Sequence, residues 1–153
     1  MYPIGHFALG YFSCKLVCRL DKEKVNYPMI FFLSILPDID IYLPFLEHRG
    51  PTHSIVLAVI LFIPIYMKYR HGLAYFASLA SHSLIGDYFT AYGVKLFWPL
   101  SLNWYKANQP FLLTGRTSTI VEISLFVLMI ISMLWKSRAH GARIVTHACF
   151  ARA

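Results

Sequence analysis

Apolar residues in this chain gather into five runs separated by short polar stretches. The first extends from His6 to Leu20, where Phe7, Leu9, Phe12, Leu16 and Val17 recur at helical intervals and Lys15 and Arg19 interrupt them. The second, Tyr27 to Leu36, stops at Pro37. The third, Ser54 to Tyr69, is apolar almost throughout and contains Pro64. The fourth runs from Gly72 to Asp87, with a further apolar stretch reaching Leu100. The fifth, Ile120 to Trp135, is broken only by Glu122 and two serines. This pattern predicts an all-α fold, a bundle of about five short helices without internal repeats. It divides the chain into a domain over residues 1–135 and a basic tail over 136–153.

Composition moves the bundle into a membrane. Hydrophobic residues make up 58% of the chain and charged residues 14%, where a soluble domain carries roughly 25%. That is too little charge to cover a water-facing surface. A helix rising about 1.5 Å per residue needs about 20 residues to cross a hydrocarbon core about 30 Å thick. The apolar runs are shorter, so they span with their polar ends included or insert part-way. The formal charge is +7, and the basic residues stand at the ends of apolar runs, which suits anionic lipid headgroups and topology signals. No base-reading motif accompanies them, so membrane lipids are the expected partners and direct nucleic-acid binding is not. Cys14 and Cys18 stand one helical turn apart, a packing pair, and Cys149 lies in the tail. Met1 to Gly10 lacks the charged start, apolar stretch and small-residue cleavage site of a removable signal peptide.

Alternating helix directions sort the polar residues. Lys15, Arg19, Lys22 and Lys24 fall at one pole with Lys68, Arg70, His71, Lys136, Arg138 and Arg143. The positive-inside rule makes that pole, with the tail, the cytoplasmic side of a multi-pass protein of the cell membrane. His6, Asp38, Asp40, His48, His53, His82, Asp87 and Glu122 collect at the opposite pole.

The few acidic residues are the best guide to chemistry. Asp21 and Glu23 alternate with lysines as a solvated turn. Asp38, Asp40, Glu47, Asp87 and Glu122 lie near or within apolar sequence, where an unpaired carboxylate costs a few kcal/mol or more (~2.5 on insertion scales). Pro37 disfavours helical geometry at Leu36. An extended stretch beyond it would point Asp38 and Asp40 to one side, suited to bridging a cation, whereas a helix cap with a solvated turn is the structural alternative. Gly50 and Pro51 fix a turn that lets His48 and His53 converge. Arg49, inside that motif, fits a phosphate by a bidentate fork or pairs with Glu47 or an aspartate. Thr52 or Ser54 caps the third helix. His82 and Asp87 are five apart, about 140° on a regular α-helix, and need Gly86 or a π-bulge to share a face. Glu122 serves as a ligand or a helix-end carboxylate.

Taken in order, these motifs resemble the YdjM-like family of inner-membrane-associated, metal-dependent hydrolases. The matching elements are Gly5-His6 with Gly10, Leu36-Pro37-Asp38-Ile39-Asp40 and His48-Arg49-Gly50-Pro51-Thr52-His53-Ser54. Ser81-His82, Asp87 with Thr90, Gly93-Val94 and Leu96-Phe97-Trp98-Pro99 complete the set. The likeness covers about Met1 to Leu100 and, more loosely, Glu122. The five-residue step from His82 to Asp87 departs from the shorter step of many relatives. A more distant likeness, to zinc-dependent phospholipase C and related nucleases, suggests a phosphoester substrate.

The resulting expectation is a membrane-bound hydrolase of phosphoester bonds, including those of lipids. His6, Asp38, Asp40, His48, His53, His82 and Asp87 would hold one or more divalent ions. Nitrogen and oxygen donors without thiolates suit zinc, and manganese or iron also fit. Asp40 or Glu122 would act as general base and Arg49 would stabilise phosphate charge. A metal-binding or transport protein without catalysis, and a membrane-anchored interaction protein docking through its basic tail, are the alternatives.

Overall fold

Proline begins the first helix, α1 (Pro3–Asp21), where a missing N–H costs nothing because first-turn donors have no partner within the helix. In α2 (Tyr27–Ile35), Asn26 is the N-cap and its side chain accepts from the Met29 amide. In α3 (Ile55–Lys68), the Ser54 hydroxyl accepts from the Val56 amide, so Ser54 rather than Thr52 caps the helix. The fourth helix, α4 (Gly72–Ser81), continues into a π-turn over His82–Asp87. The fifth, α5, covers Gly115–Phe150, so the helical path runs on into the basic tail that the apolar pattern left without periodicity. This computed structural model describes residues 2–21, 25–68, 72–108 and 111–150, without the side chains of 19–21 and 137–150. Lys22, Lys24, Arg70 and His71, and the side chains of Arg19, Arg138, Arg143 and Cys149, lie outside the described residues.

The architecture is all-helical, with isolated β-bridges but no strand among the described residues. Helix α1 packs against α2, α4 and α5, α2 against α4, and α3 against α4. Cys14, Ile30, Leu33, Ala74, Tyr75 and Leu79 form one core, and Ala8, Tyr11 and Met129 a second that seats α5 on α1. Gly10 sets the spacing at the centre. A Cβ there would come within 2.6 Å of the Ser34 Cβ and 2.7 Å of the Ser78 Oγ, so only glycine admits α2 and α4 this close to α1.

For α1, α2 and α5 the contacts agree with the expected alternation of direction. Tyr2 donates its amide to Glu122, and further along Lys15 donates to Ser132, so α1 and α5 run the same way. Lys136 reaches the hydroxyl of Tyr27 at the start of α2. Lys15 and Lys136 thus lie at the end of the bundle away from His6 and Glu122.

Within α5, Gly115–Lys136 is, among the described residues, the one stretch long and apolar enough to cross a bilayer; Ile55–Lys68 is apolar but shorter. Ile120, Ile123, Val127, Leu128, Ile131 and Leu134 of α5 face outward, as a lipid-facing surface would. The apolar stretch after Asp87 is not helical. Thr90 bridges to Leu113 and Val94 to Tyr105, and the amide of Ile55 donates to the Leu96 carbonyl and that of Lys95 to the Arg49 carbonyl. This segment ties the polar pole together from outside.

Candidate metal centre

After α2 the chain does not extend as the proline predicted. Leu36 keeps helical angles (φ −55°, ψ −38°), and Leu36–Tyr42 tightens into a 3-10 helix with Pro37 in its first turn. With about three residues per turn, side chains two apart diverge by about 120°. Asp38 and Asp40 therefore do not share one side: Asp38 meets the Nε2 atoms of His53 and His82, and Asp40 meets the Nδ1 atoms of His53 and His48.

The π-turn does what a regular α-helix would not. The Tyr88 amide donates to the Ser83 carbonyl, five residues back, and this wider winding brings His82 and Asp87 to one face. Gly86 leaves room for His6. A Cβ there would lie 2.6 Å from the His6 Cε1. The His6 ring stacks on His82 with centroids 3.7 Å apart.

Four residues from three parts of the chain converge. His53 and His82 bring their Nε2 atoms to 3.0 Å. Asp38 Oδ1 is 3.4 Å from each of these nitrogens. Asp87 Oδ2 is 3.1 Å from that of His53 and 3.5 Å from that of His82. One donor atom from each of the four lies within 4.8 Å of the others. A tetrahedral ion with bonds of about 2.1 Å has ligand-to-ligand edges of about 3.4 Å, so the donor set fits a divalent cation. His6 Nε2 stands 4.0 Å from Asp38 and 4.0 Å from Asp87. Both nitrogens of this buried ring lack a hydrogen-bond partner, so His6 is available as a further ligand.

The surroundings orient those donors. His82 Nδ1 is 2.6 Å from the Ser34 carbonyl oxygen; a carbonyl only accepts, so Nδ1 holds the hydrogen and Nε2 presents its lone pair. His53 Nδ1 faces Asp40 Oδ2 at 3.2 Å, a carboxylate–histidine pair that leaves the Nε2 of His53 as the ligand atom. Asp40 also accepts from Thr52 at 2.6 Å and from the Arg49 amide at 3.1 Å, and lies 2.8 Å from His48 Nδ1. Asp40, His48 and His53 form a second group able to hold an ion.

Residues 1–151 match the family described as YdjM inner membrane protein. The chain belongs to that family. No curated protein and no solved structure matches it. Of the site residues expected from the sequence of this YdjM-family protein, His6, Asp38, Asp40, His48, His53, His82 and Asp87 all gather at the polar pole. Glu122 stands apart from the four-donor set, its buried carboxylate bound to the Tyr2 amide and the Ser118 hydroxyl. Arg49 pairs with Asp87, Nη2 to Oδ1 at 3.2 Å, and donates to Thr90, while Glu47 pairs with Lys95. Arg49 is the one non-glycine residue with left-handed backbone among those described (φ 64°), a conformation that costs free energy and clusters at functional sites. Gly50 and Pro51 hold that turn. Thr90 has no chemical role that its sequence position suggests. Its hydroxyl accepts from Arg49 and donates to the Asp87 carbonyl, fixing the arginine beside the centre.

Charge in this YdjM-family centre is balanced by proximity. Burial opposes a charge on His53, but the carboxylates of Asp38, Asp40 and Asp87 outweigh it and lift the imidazole to about 10. Burial likewise pushes the carboxyls of Asp38 and Asp40 up, and hydrogen bonds from the histidines hold them below the usual carboxylate range. The carboxylates favour a proton on these facing nitrogens. A divalent cation is the alternative occupant of the same charge trap.

Proposed function

We propose that this protein is a membrane-bound, metal-dependent hydrolase of phosphoester bonds. The observation that carries the reading is the convergence of one donor atom each from Asp38, His53, His82 and Asp87 within 4.8 Å, with both imidazoles held so that their Nε2 atoms point inward. Donors of nitrogen and oxygen only favour zinc, with manganese or iron next. A divalent ion bound there supplies Lewis acidity and acidifies a water molecule.

The chain's own residues account for the rest. Asp38 is the member of the set with a partly exposed side chain (19%), so substrate and water reach the centre from its side. Asp40 holds His53 in the correct tautomer, and its link to the half-exposed His48 makes it the group positioned to receive a proton. Arg49, fixed by Thr90 and Asp87, presents a planar donor fork to phosphate oxygens. Glu122, with both oxygens occupied, is a positioning residue for the start of α1. Anchorage comes from α5, with the apolar face of α3 immersed as well. Lys15, Lys68 and Lys136 mark the cytoplasmic pole of a multi-pass arrangement.

Full-length protein purified in mild detergent tests the reading. Bound metal is measured, then hydrolysis of lipid and soluble phosphoesters, with and without chelator and with Asp38→Ala and His53→Ala. Turnover lost in all three cases supports the hydrolase. Four protein donors also suit a closed structural ion; metal bound without turnover of any phosphoester would place this centre in that class.

A further inference from the structure

One cavity adjoins the metal-ligand candidates without enclosing them. It has a volume of about 810 Å³ and lies between the first turns of α5 and the turn at Thr90–Tyr92. Arg49 lines it on one side, and Arg49 also contacts Asp87 of the four-donor set. Arg116, exposed and without an ion pair among the described residues, lines it on the other. Glu122 is the acidic group in its wall, and both of its oxygens already accept hydrogen bonds from Tyr2 and Ser118. The cavity therefore offers the guanidinium of Arg116, that of Arg49 shared with Asp87, and the positive end of α5 to a ligand, against the one carboxylate of its wall, Glu122. The remaining wall is largely apolar, with Tyr92, Leu113 and Ile120 among its residues. Ile120 begins the exposed face that continues through Ile123, Val127 and Ile131 along the stretch able to cross a bilayer.

We propose that this cavity binds the phosphate group of an amphiphilic phosphate ester, with Arg116 as its anion-binding residue and the hydrocarbon lying along the outward face of α5. The assignment deepens the hydrolase reading and rests on it for the fate of the ester, not for its binding. A phosphate held between Arg116 and Arg49 sits one side chain from Asp87. Its hydrophobic part tracks the exposed apolar face of α5. A water-soluble phosphate ester shares the anion chemistry but leaves Leu113, Ile120 and the face of α5 without a role.

The test is binding, in detergent, by the full-length protein with its metal content as purified. Three probes are compared: the non-hydrolysable phosphonate analogue of dioctanoyl phosphatidic acid, dioctanoylglycerol, and glycerol phosphate. The phosphonate lipid is expected to bind at least about tenfold more tightly than either of the others, the worth of a charged hydrogen bond or of buried hydrocarbon. Arg116→Ala should weaken the phosphonate lipid by about tenfold and leave dioctanoylglycerol unchanged. Ile123→Asn should weaken the phosphonate lipid without affecting glycerol phosphate. Lys15→Ala, at the opposite pole, should change nothing. Glycerol phosphate binding as tightly as the phosphonate lipid would assign the cavity to soluble esters and overturn the proposal. So would an Arg116→Ala variant that folds normally and binds the phosphonate lipid as before. Because binding is read without turnover, a protein that binds the lipid but hydrolyses nothing keeps this site and loses only the hydrolase. A protein that hydrolyses phosphoesters while Arg116→Ala leaves phosphonate binding intact keeps the hydrolase and loses this site.

Discussion

His53 and His82 face each other nitrogen to nitrogen, their Nε2 atoms 3.0 Å apart, while the Nδ1 of each is turned to an acceptor, Asp40 for one and the Ser34 carbonyl for the other. Two lone pairs at that distance repel unless a proton or a cation sits between them. The backbone and Asp40 thus enforce an arrangement that needs positive charge.

Asp40 acts on the centre through His53. Asp40→Asn keeps an oxygen for Thr52 or the Arg49 amide but removes the negative charge behind the imidazole. Metal affinity is expected to fall by about 10–100-fold with the fold retained, measured by competition with a chromogenic chelator. An unchanged affinity would mean that Asp40 has no such role.

Metal uptake should depend on pH with a definite sign. The surrounding carboxylates lift His53 to about 10, so at pH 7 a cation is expected to displace a proton from it. Apparent affinity should rise with pH by about tenfold per unit between 7 and 9 for the His53 proton released. Calorimetry in buffers of different ionisation enthalpy counts that proton. Stability of the metal-free protein has the opposite dependence at high pH. The His53 contribution is complete below its unfolded value of 6.5 and disappears as pH rises through about 10. The Asp38 and Asp40 contributions are present above 3.8 and disappear as pH falls below it.

Gly86→Ala should destabilise the protein by about 1–3 kcal/mol, as overpacking does, because the new methyl would meet the His6 ring. In a His6→Ala background most of that cost should vanish. Thermal unfolding of the two single variants and the double variant closes the cycle. Equal costs in both backgrounds would show that the glycine matters for the π-turn itself and not for the space above it.

Arg49→Lys keeps the charge but loses the fork that spans Thr90 and Asp87. If Arg49 stabilises phosphate charge, turnover should fall by about 100-fold while bound metal stays near its wild-type amount. Metal analysis beside initial-rate kinetics separates the two. Loss of metal together with activity would make Arg49 a support of Asp87 instead.

Much of this centre was legible because its residues are expensive where they stand. A carboxylate in apolar sequence needs a partner, so Asp38, Asp40 and Asp87 could be matched with His53 and His82 before any fold was known. The helical runs came from their period, and the common pole from alternating direction. Local geometry was harder. A proline argument predicted an extended chain after Leu36, but the first turn of a 3-10 helix tolerates proline equally well, and tertiary contacts to both aspartates selected it. The partner of Arg49 could not be chosen among Glu47 and the aspartates, since it depends on a left-handed residue and on Thr90, 41 residues away. Glu122 sits at the expected pole, yet its hydrogen bonds are to Tyr2 and Ser118, contacts set by the docking of α5 on α1. The cavity next to it arises from the non-helical segment after Asp87, whose two isolated bridges leave no periodic trace.

The π-turn at His82–Asp87 is, in effect, one residue more than an α-helix needs. Leu84 and Ile85, inside it, point outward. Deleting either would let the segment rewind as ordinary helix with the histidine and aspartate four apart, about 40° from alignment. The same two ligands would still meet. The centre therefore tolerates two chain lengths in this loop of helix, and the surplus residue acts downstream of the ligands. It sets the direction in which the chain leaves toward Thr90, the partner of Arg49.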